Sequence, residues 1–206
     1  MTKIKICGLK RQEDIQYVNE ALPDFAGFVI QVSFSRRSIT AEELYKLRSR
    51  LSEKISPVGV FVNAPVELPA KLLREGILDM AQLHGQEDDE YIKRLKEETG
   101  RPVMKAFSVS APEDIQRAFS SSADLILLDH GRGGTGKSFD WNLVKGEKNG
   151  GRPYFLAGGI TPEKIPQAVR RLNPYGIDLS SAVETEGKKD RRKILAAVAA
   201  VRSGIL

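Results

Sequence analysis

Apolar runs and helical periods alternate along this chain from end to end. The runs cover residues 3–7, 25–30, 58–62, 80–83, 103–107, 125–128, 154–157 and 176–179. Runs this short and this apolar suit strands buried on both faces, as in a parallel sheet. Between them, apolar positions recur at helical spacing. Ile15, Val18 and Leu22 follow the first run. Leu44, Leu47 and Leu51 follow the second, behind a capping box of Thr40 and Glu43. Pro65 and Pro69 blur the start of a short third helix that ends near Glu75. Ile92 and Leu95 mark the fourth. Ser110 with Glu113 caps the fifth, which turns Ile115, Ala118 and Phe119 inward. The sixth is expected from about Ser138. Thr161 caps the seventh with Pro162 in its first position. Ile194, Leu195, Val198 and Val201 lie on the eighth. Strict β–α alternation implies parallel strands. The expected fold is α/β, a single-domain (β/α)8 TIM barrel over residues 1–206. A doubly wound open sheet is the structural alternative.

One stretch combines strand, carboxylate, glycine-rich turn and helix: LILLDHGRGGTGKSFDW, residues 125–141. That order is the layout of an α/β active-site loop, because glycines let backbone N–H groups approach an anion. Gly131, Gly136, Lys137 and Ser138 also satisfy the P-loop pattern for nucleotide phosphates. Such a loop normally follows an early strand and is served by a second acid for magnesium. Here it falls in the sixth unit, and Asp129 stands where it would repel a triphosphate. The nucleotide reading is therefore disfavoured.

Composition narrows the chemistry. The chain has a net charge of +5, which suits a small anionic substrate. Its cations are spread along the sequence, which argues against a nucleic-acid surface. The cluster at Lys188–Lys189 and residues 191–193, with Asp190 inside it, is expected as a solvated helix start. A single cysteine excludes an intrachain disulfide, and a reducing cytoplasm is expected. No apolar leader opens the sequence and no run reaches membrane-spanning length.

In a (β/α)8 barrel, function gathers at the C-terminal ends of the strands. Those positions hold Cys7, Arg36 and Arg37, His84, Asp129, Gly158 and Gly159, and Ser180 and Ser181. Each has a plain structural reading: a small buried hydrophobe, surface charge, a hydrogen-bonded strand end, or a turn glycine. Asp129 is the hardest to explain structurally, since a carboxylate ending an apolar strand is costly unless solvated or paired. The small residues after strands seven and eight fit the usual phosphate site of this fold.

The sequence resembles the phosphoribosylanthranilate isomerase family of tryptophan biosynthesis over nearly its whole length. KICG (5–8), GF (27–28), VGVFVN (58–63) and QLHG (82–85) carry the resemblance. LLD (127–129), GGTGKSFDW (133–141), LAGGI (156–160), DLSSAVE (178–184) and GKKD (187–190) complete it in family order. The resemblance implies an Amadori rearrangement of an aminoaldose to an aminoketose, without cofactor or metal, by a monomer or homodimer. It implies Asp129 as general acid, Cys7 as general base and Arg37 on the anthranilate carboxylate. Gly158, Gly159, Ser180, Ser181 and Ala182 would bind the phosphate through backbone N–H groups. His84, Gly134 and Gly136 would complete the site, with residues 131–137 as a candidate lid. Asp129 must then hold a proton near neutrality, and Cys7 must have its pKa lowered by nearby positive charge. The family often has glycine where this chain has Ala182; a positive φ there would cost alanine about 1 kcal/mol. A non-catalytic phosphosugar-binding barrel is disfavoured because both Cys7 and Asp129 are present. Another aminoaldose–ketose isomerase on the same barrel stays open.

Alternation along the strands yields one further expectation. Lys5 shares a face with Cys7, and Asp178 shares one with Ser180. If both faces point inward where the first and last strands meet, Lys5 and Asp178 form an ion pair under the catalytic floor.

Overall fold

A computed structural model of the chain describes residues 1–129, 141–145 and 151–203. The eight expected strands are present: β1 (Lys3–Cys7), β2 (Phe25–Ile30), β3 (Ser56–Phe61), β4 (Met80–Leu83), β5 (Val103–Ser108), β6 (Leu125–Asp129), β7 (Tyr154–Leu156) and β8 (Gly176–Leu179). Each pairs in parallel with its sequence neighbours, and β1 pairs with both β2 and β8. That double pairing closes the sheet and removes the open-sheet alternative. The helices are α1 (Gln12–Ala21), α2 (Ala41–Arg48), α3 (Glu67–Arg74), α4 (Asp89–Thr99), α5 (Pro112–Ser120), α6 (Asn142–Lys145), α7 (Ile165–Leu172) and α8 (Arg191–Ser203). A two-residue strand, Ser38–Ile39, pairs with the end of β2.

The large apolar core lies between strands and helices. A smaller cluster, including Val58, Met80, Met104, Leu127 and Phe155, fills the barrel's interior. The same inward faces carry Lys5 and Cys7, Gln82, Asp129 and Asp178, following the two-residue period of each strand. Lys5 is fully buried, and its Nζ lies 3.0 Å from Asp178 Oδ1. The expected ion pair is therefore in place, with Lys5 and Asp178 opposite each other in the register of β1 and β8.

Several local expectations are corrected. Leu22 is the left-handed C-cap of α1 and is exposed, because the helix has already ended. Leu51 is buried beyond the end of α2. Ser110 and Glu113 do not cap α5. Asp114 reaches back one turn and accepts from the backbone N–H groups of Ser110 and Ala111. Thr161 makes no capping bond to backbone, and Pro162 opens a 3-10 turn before α7. The box of Thr40 and Glu43 is as expected. Residues 131–137, with Gly134 and Gly136, and the proposed start at Ser138 lie outside the described residues.

Candidate active site

The C-terminal ends of the strands bring most of the expected residues to one mouth. Cys7 ends β1, Asp129 ends β6 and His84 follows β4. Gly27 on β2 stands opposite Cys7 in register. A Cβ there would lie 2.8 Å from Cys7 Sγ and 3.0 Å from Lys5 Nζ. The missing side chain thus makes room for thiol and ammonium together. Ser180 Oγ donates to the Cys7 carbonyl at 3.1 Å, tying the turn after β8 to the thiol's own residue.

The electrostatics of Cys7 depart from expectation. Burial raises the thiol's pKa, and Asp178 adds to this; Lys5 and, more weakly, Lys189 pull it down. The net shift is upward, although the positive charge demanded of the site is there. Burial also works to lower the Lys5 pKa, but Asp178 and Cys7 overcome it and hold the ammonium above its ordinary value. His84 Nε2 lies 3.8 Å from Asp129 Oδ2, and 38% of the His84 side chain stays open to the mouth. Enclosure lowers the His84 pKa against the pull of Asp129 and Asp178.

Arg37 reaches this site over Gly8, whose φ of 81° belongs to the left-handed region. A Cβ on Gly8 would collide with Arg37 Cδ. The Arg37 guanidinium is held by Glu184, with Nε 2.6 Å from Oε1 and Nη2 2.8 Å from Oε2. Arg36 also reaches Glu184 but keeps 62% of its side chain exposed, against 19% for Arg37. Of the two, Arg37 has the inward place. Lys189 Nζ completes the cluster, 2.8 Å from Glu184 Oε1 and 2.9 Å from the Ser180 carbonyl oxygen. Burial works to raise the Glu184 pKa, but Arg37 and Lys189 outweigh it and draw the carboxyl down to about 2.

Glu184 and Lys189 are the residues that sequence reasoning missed. Lys189 is buried, not part of a solvated helix start. The cause is local: Glu184–Thr185 and Lys188–Lys189 form a small antiparallel hairpin. Its turn residues Glu186 and Gly187 both have positive φ, the two-residue turn that favours glycine. Glu184 and Lys189 thereby become directly opposed partners. The Glu-Gly pair between two short runs was the available signal.

The candidate anion site lies beside this cluster. Gly158 and Gly159 have φ of 71° and 66°, a left-handed pair that glycine adopts without penalty. Ser181–Val183 form a 3-10 turn after β8. Ala182 is not among the positive-φ residues, so its methyl group brings no backbone strain. Among the described residues, no group of three or more His, Cys, Asp or Glu side chains could hold a metal ion. No described helix is long and apolar enough to cross a membrane.

Comparison with known proteins agrees with this architecture. Residues 4–200 match the family model described as N-(5'phosphoribosyl)anthranilate (PRA) isomerase. An N-(5'-phosphoribosyl)anthranilate isomerase of Endomicrobium trichonymphae is 46% identical, covering 98% of this chain and 100% of the relative. The crystal structure of phosphoribosyl anthranilate isomerase from Thermotoga maritima superposes with a TM-score of 0.90 at 34% identity, over 98% of this chain and 100% of that one. A structure of such an isomerase in complex with reduced 1-(o-carboxyphenylamino)-1-deoxyribulose 5-phosphate has a TM-score of 0.87 at 32% identity, with coverage of 98% and 100%. The chain belongs to the N-(5'-phosphoribosyl)anthranilate isomerase family.

Proposed function

We propose that this chain rearranges N-(5-phosphoribosyl)anthranilate to 1-(2-carboxyphenylamino)-1-deoxyribulose 5-phosphate, the isomerisation step of tryptophan biosynthesis, in the cytoplasm. The observation that carries the reading is the pairing of Cys7 and Asp129 at one barrel mouth, flanked by a cationic cluster and a left-handed glycine pair. Substrate carries an anion at each end. Three cations converge on the single carboxylate of Glu184, so the cluster keeps excess positive charge for a carboxylate. Arg37 is the group that meets it. Backbone N–H groups around Gly158, Gly159 and residues 180–182 hold the phosphate.

Asp129 gives its proton to the furanose ring oxygen. The C1–O bond breaks, its electron pair goes to that oxygen, and a protonated imine forms between C1 and nitrogen. Cys7 then removes the C2 proton, and the electrons of that bond neutralise the imine. The resulting enol takes a proton at C1 and releases the proton of its C2 hydroxyl, which gives the ketone; these two transfers return to Cys7 and Asp129 the protonation states they began with. The raised resting pKa of Cys7 is compatible with this order of events. The imine's positive charge arises beside C2, so it acidifies the C2 proton and favours the thiolate at the moment the base is needed. The product-like ligand of the related complex has the two anions this site would hold. Loss of phosphoribosylanthranilate fluorescence on addition of purified protein tests the reading. No turnover at any pH would remove it.

A further inference from the structure

Gln82 is an uncomfortable occupant of the barrel's interior. It is 1% exposed on β4, level with Val60 of β3 and Met104 of β5. A buried primary amide is costly unless its groups are bonded. Its nitrogen lies 3.3 Å from Nδ1 of His84, while its oxygen has no hydrogen-bond partner. Packing alone would be served better by a methionine of similar size. What the amide adds is a hold on the His84 ring, two residues along the same inward face.

We propose that Gln82 is a positioning residue: it donates to Nδ1 and so fixes the uncharged form of the His84 ring as the tautomer with its proton on Nε2, directed at Asp129. The two ends of the ring agree on this assignment. The hydrogen bond made by one ring nitrogen sets which nitrogen carries the proton. With the amide reversed, both N–H protons of Gln82 would be orphaned in an apolar interior. Orphaned N–H groups are rarer in proteins than an under-satisfied carbonyl. The reversed state would also turn the bare Nε2 toward Asp129, 3.8 Å away. A bare nitrogen there would compete with the ring oxygen for the Asp129 proton. An Nε2–H does the opposite. As Asp129 becomes a carboxylate, the donor closes by about 1 Å to normal hydrogen-bond distance and stabilises the new charge. This role in turnover rests on Asp129 being the acid; the tautomer itself does not.

The chain has two histidines, His84 and His130. Ring-nitrogen 15N NMR near neutral pH, with His130→Gln for assignment, therefore reads His84 directly. Wild type should show a bare Nδ1 and a protonated Nε2. Gln82→Met should keep its melting temperature and shift the tautomer ratio about five- to tenfold toward Nδ1–H, the effect of one lost hydrogen bond. Its kcat should fall about tenfold with KM within about twofold. A purely structural Gln82 would leave the tautomer ratio unmoved. A proton on Nδ1 in wild type, or an unchanged ratio in Gln82→Met, would overturn the proposal. The wild-type spectrum decides even if the variant folds poorly. The expected tautomer in a protein without turnover would remove the isomerase reading and leave the placement of His84 supported.

Discussion

Replacing Lys5 with methionine tests the floor of the barrel. The substitution nearly keeps the side chain's volume and removes its charge. It strands the Asp178 carboxylate, whose side chain is 9% exposed, without the ammonium 3.0 Å away. Removing one partner of a buried pair costs about 3–5 kcal/mol. For a chain of this size, each 1 kcal/mol lowers Tm by roughly 2–4 °C. The variant should therefore melt roughly 6–20 °C below wild type, with a matching fall in urea midpoint at unchanged m-value. Adding Asp178→Asn should recover most of the loss, because a buried pair gains little beyond its own desolvation. The sign with pH is fixed. Lys5 has a raised pKa in the folded state, so its contribution is complete below the unfolded value of about 10.4. It is lost only as pH climbs through the higher folded value. The gap between wild type and Lys5→Met should stay flat from about pH 6 to about pH 9 and narrow in stronger alkali. Alkylation of Cys7 offers a second measure. Lys5 lowers the thiol's pKa more than Asp178 raises it, so the alkylation profile of the double variant should move to higher pH. A single variant within about 1 kcal/mol of wild type, or a double variant no more stable than the single, would refute the reasoning.

Cys7→Ala and Asp129→Asn should each reduce kcat by about 10²–10⁴ while a product analogue still binds; near-normal kcat in either would remove that residue's role. Gly27→Ala should lower both Tm and kcat, since its methyl would press on Cys7 Sγ and Cα and on Lys5 Nζ; unchanged kinetics would show that this space is not needed. Glu184→Gln should lower stability at neutral pH by on the order of 2–3 kcal/mol. Glu184 has a folded pKa of about 2, so its contribution is present above the unfolded value of about 4.3 and lost as pH falls through 2. Urea titrations across that window should show a flatter acid profile in the variant, and identical profiles would count against the clamp. Crystals soaked in phosphate should place the anion on the amides of Gly158, Gly159 and residues 180–182; binding elsewhere would relocate that end of the substrate.

The barrel was legible because each strand is an apolar run and each helix carries a periodic face. Lys5 and Asp178 were legible for the same reason, since alternation fixes their side of the sheet and closure makes β1 and β8 neighbours. Arg37 could be placed near the mouth, but its partner could not. Glu184 lies 147 positions away, and the contact depends on how a small hairpin folds back. Lys189 looked like one solvated charge in a run because composition does not reveal a two-residue turn. The sign of the Cys7 shift also escaped, because burial and three charges compete there and only coordinates rank them. Gln82 gave a usable signal that went unread: a polar residue two positions before His84 on an otherwise apolar strand.

The seam between β1 and β8 also has a meaning in time. Lys5 meets Asp178, and Cys7 meets Ser180, across 173 residues of sequence in each case. On the ribosome, the first strand is made long before the last. Throughout synthesis, Lys5 has no counter-ion and one edge of β1 has no neighbour. Contacts this distant are closed late and slowly. Cys7, the Lys5 ammonium and the turn after β8 are therefore assembled in the same event that shuts the ring. Partly made chains hold Cys7 without the environment that tunes it, and isomerase activity during translation should begin only after β8 has joined β1.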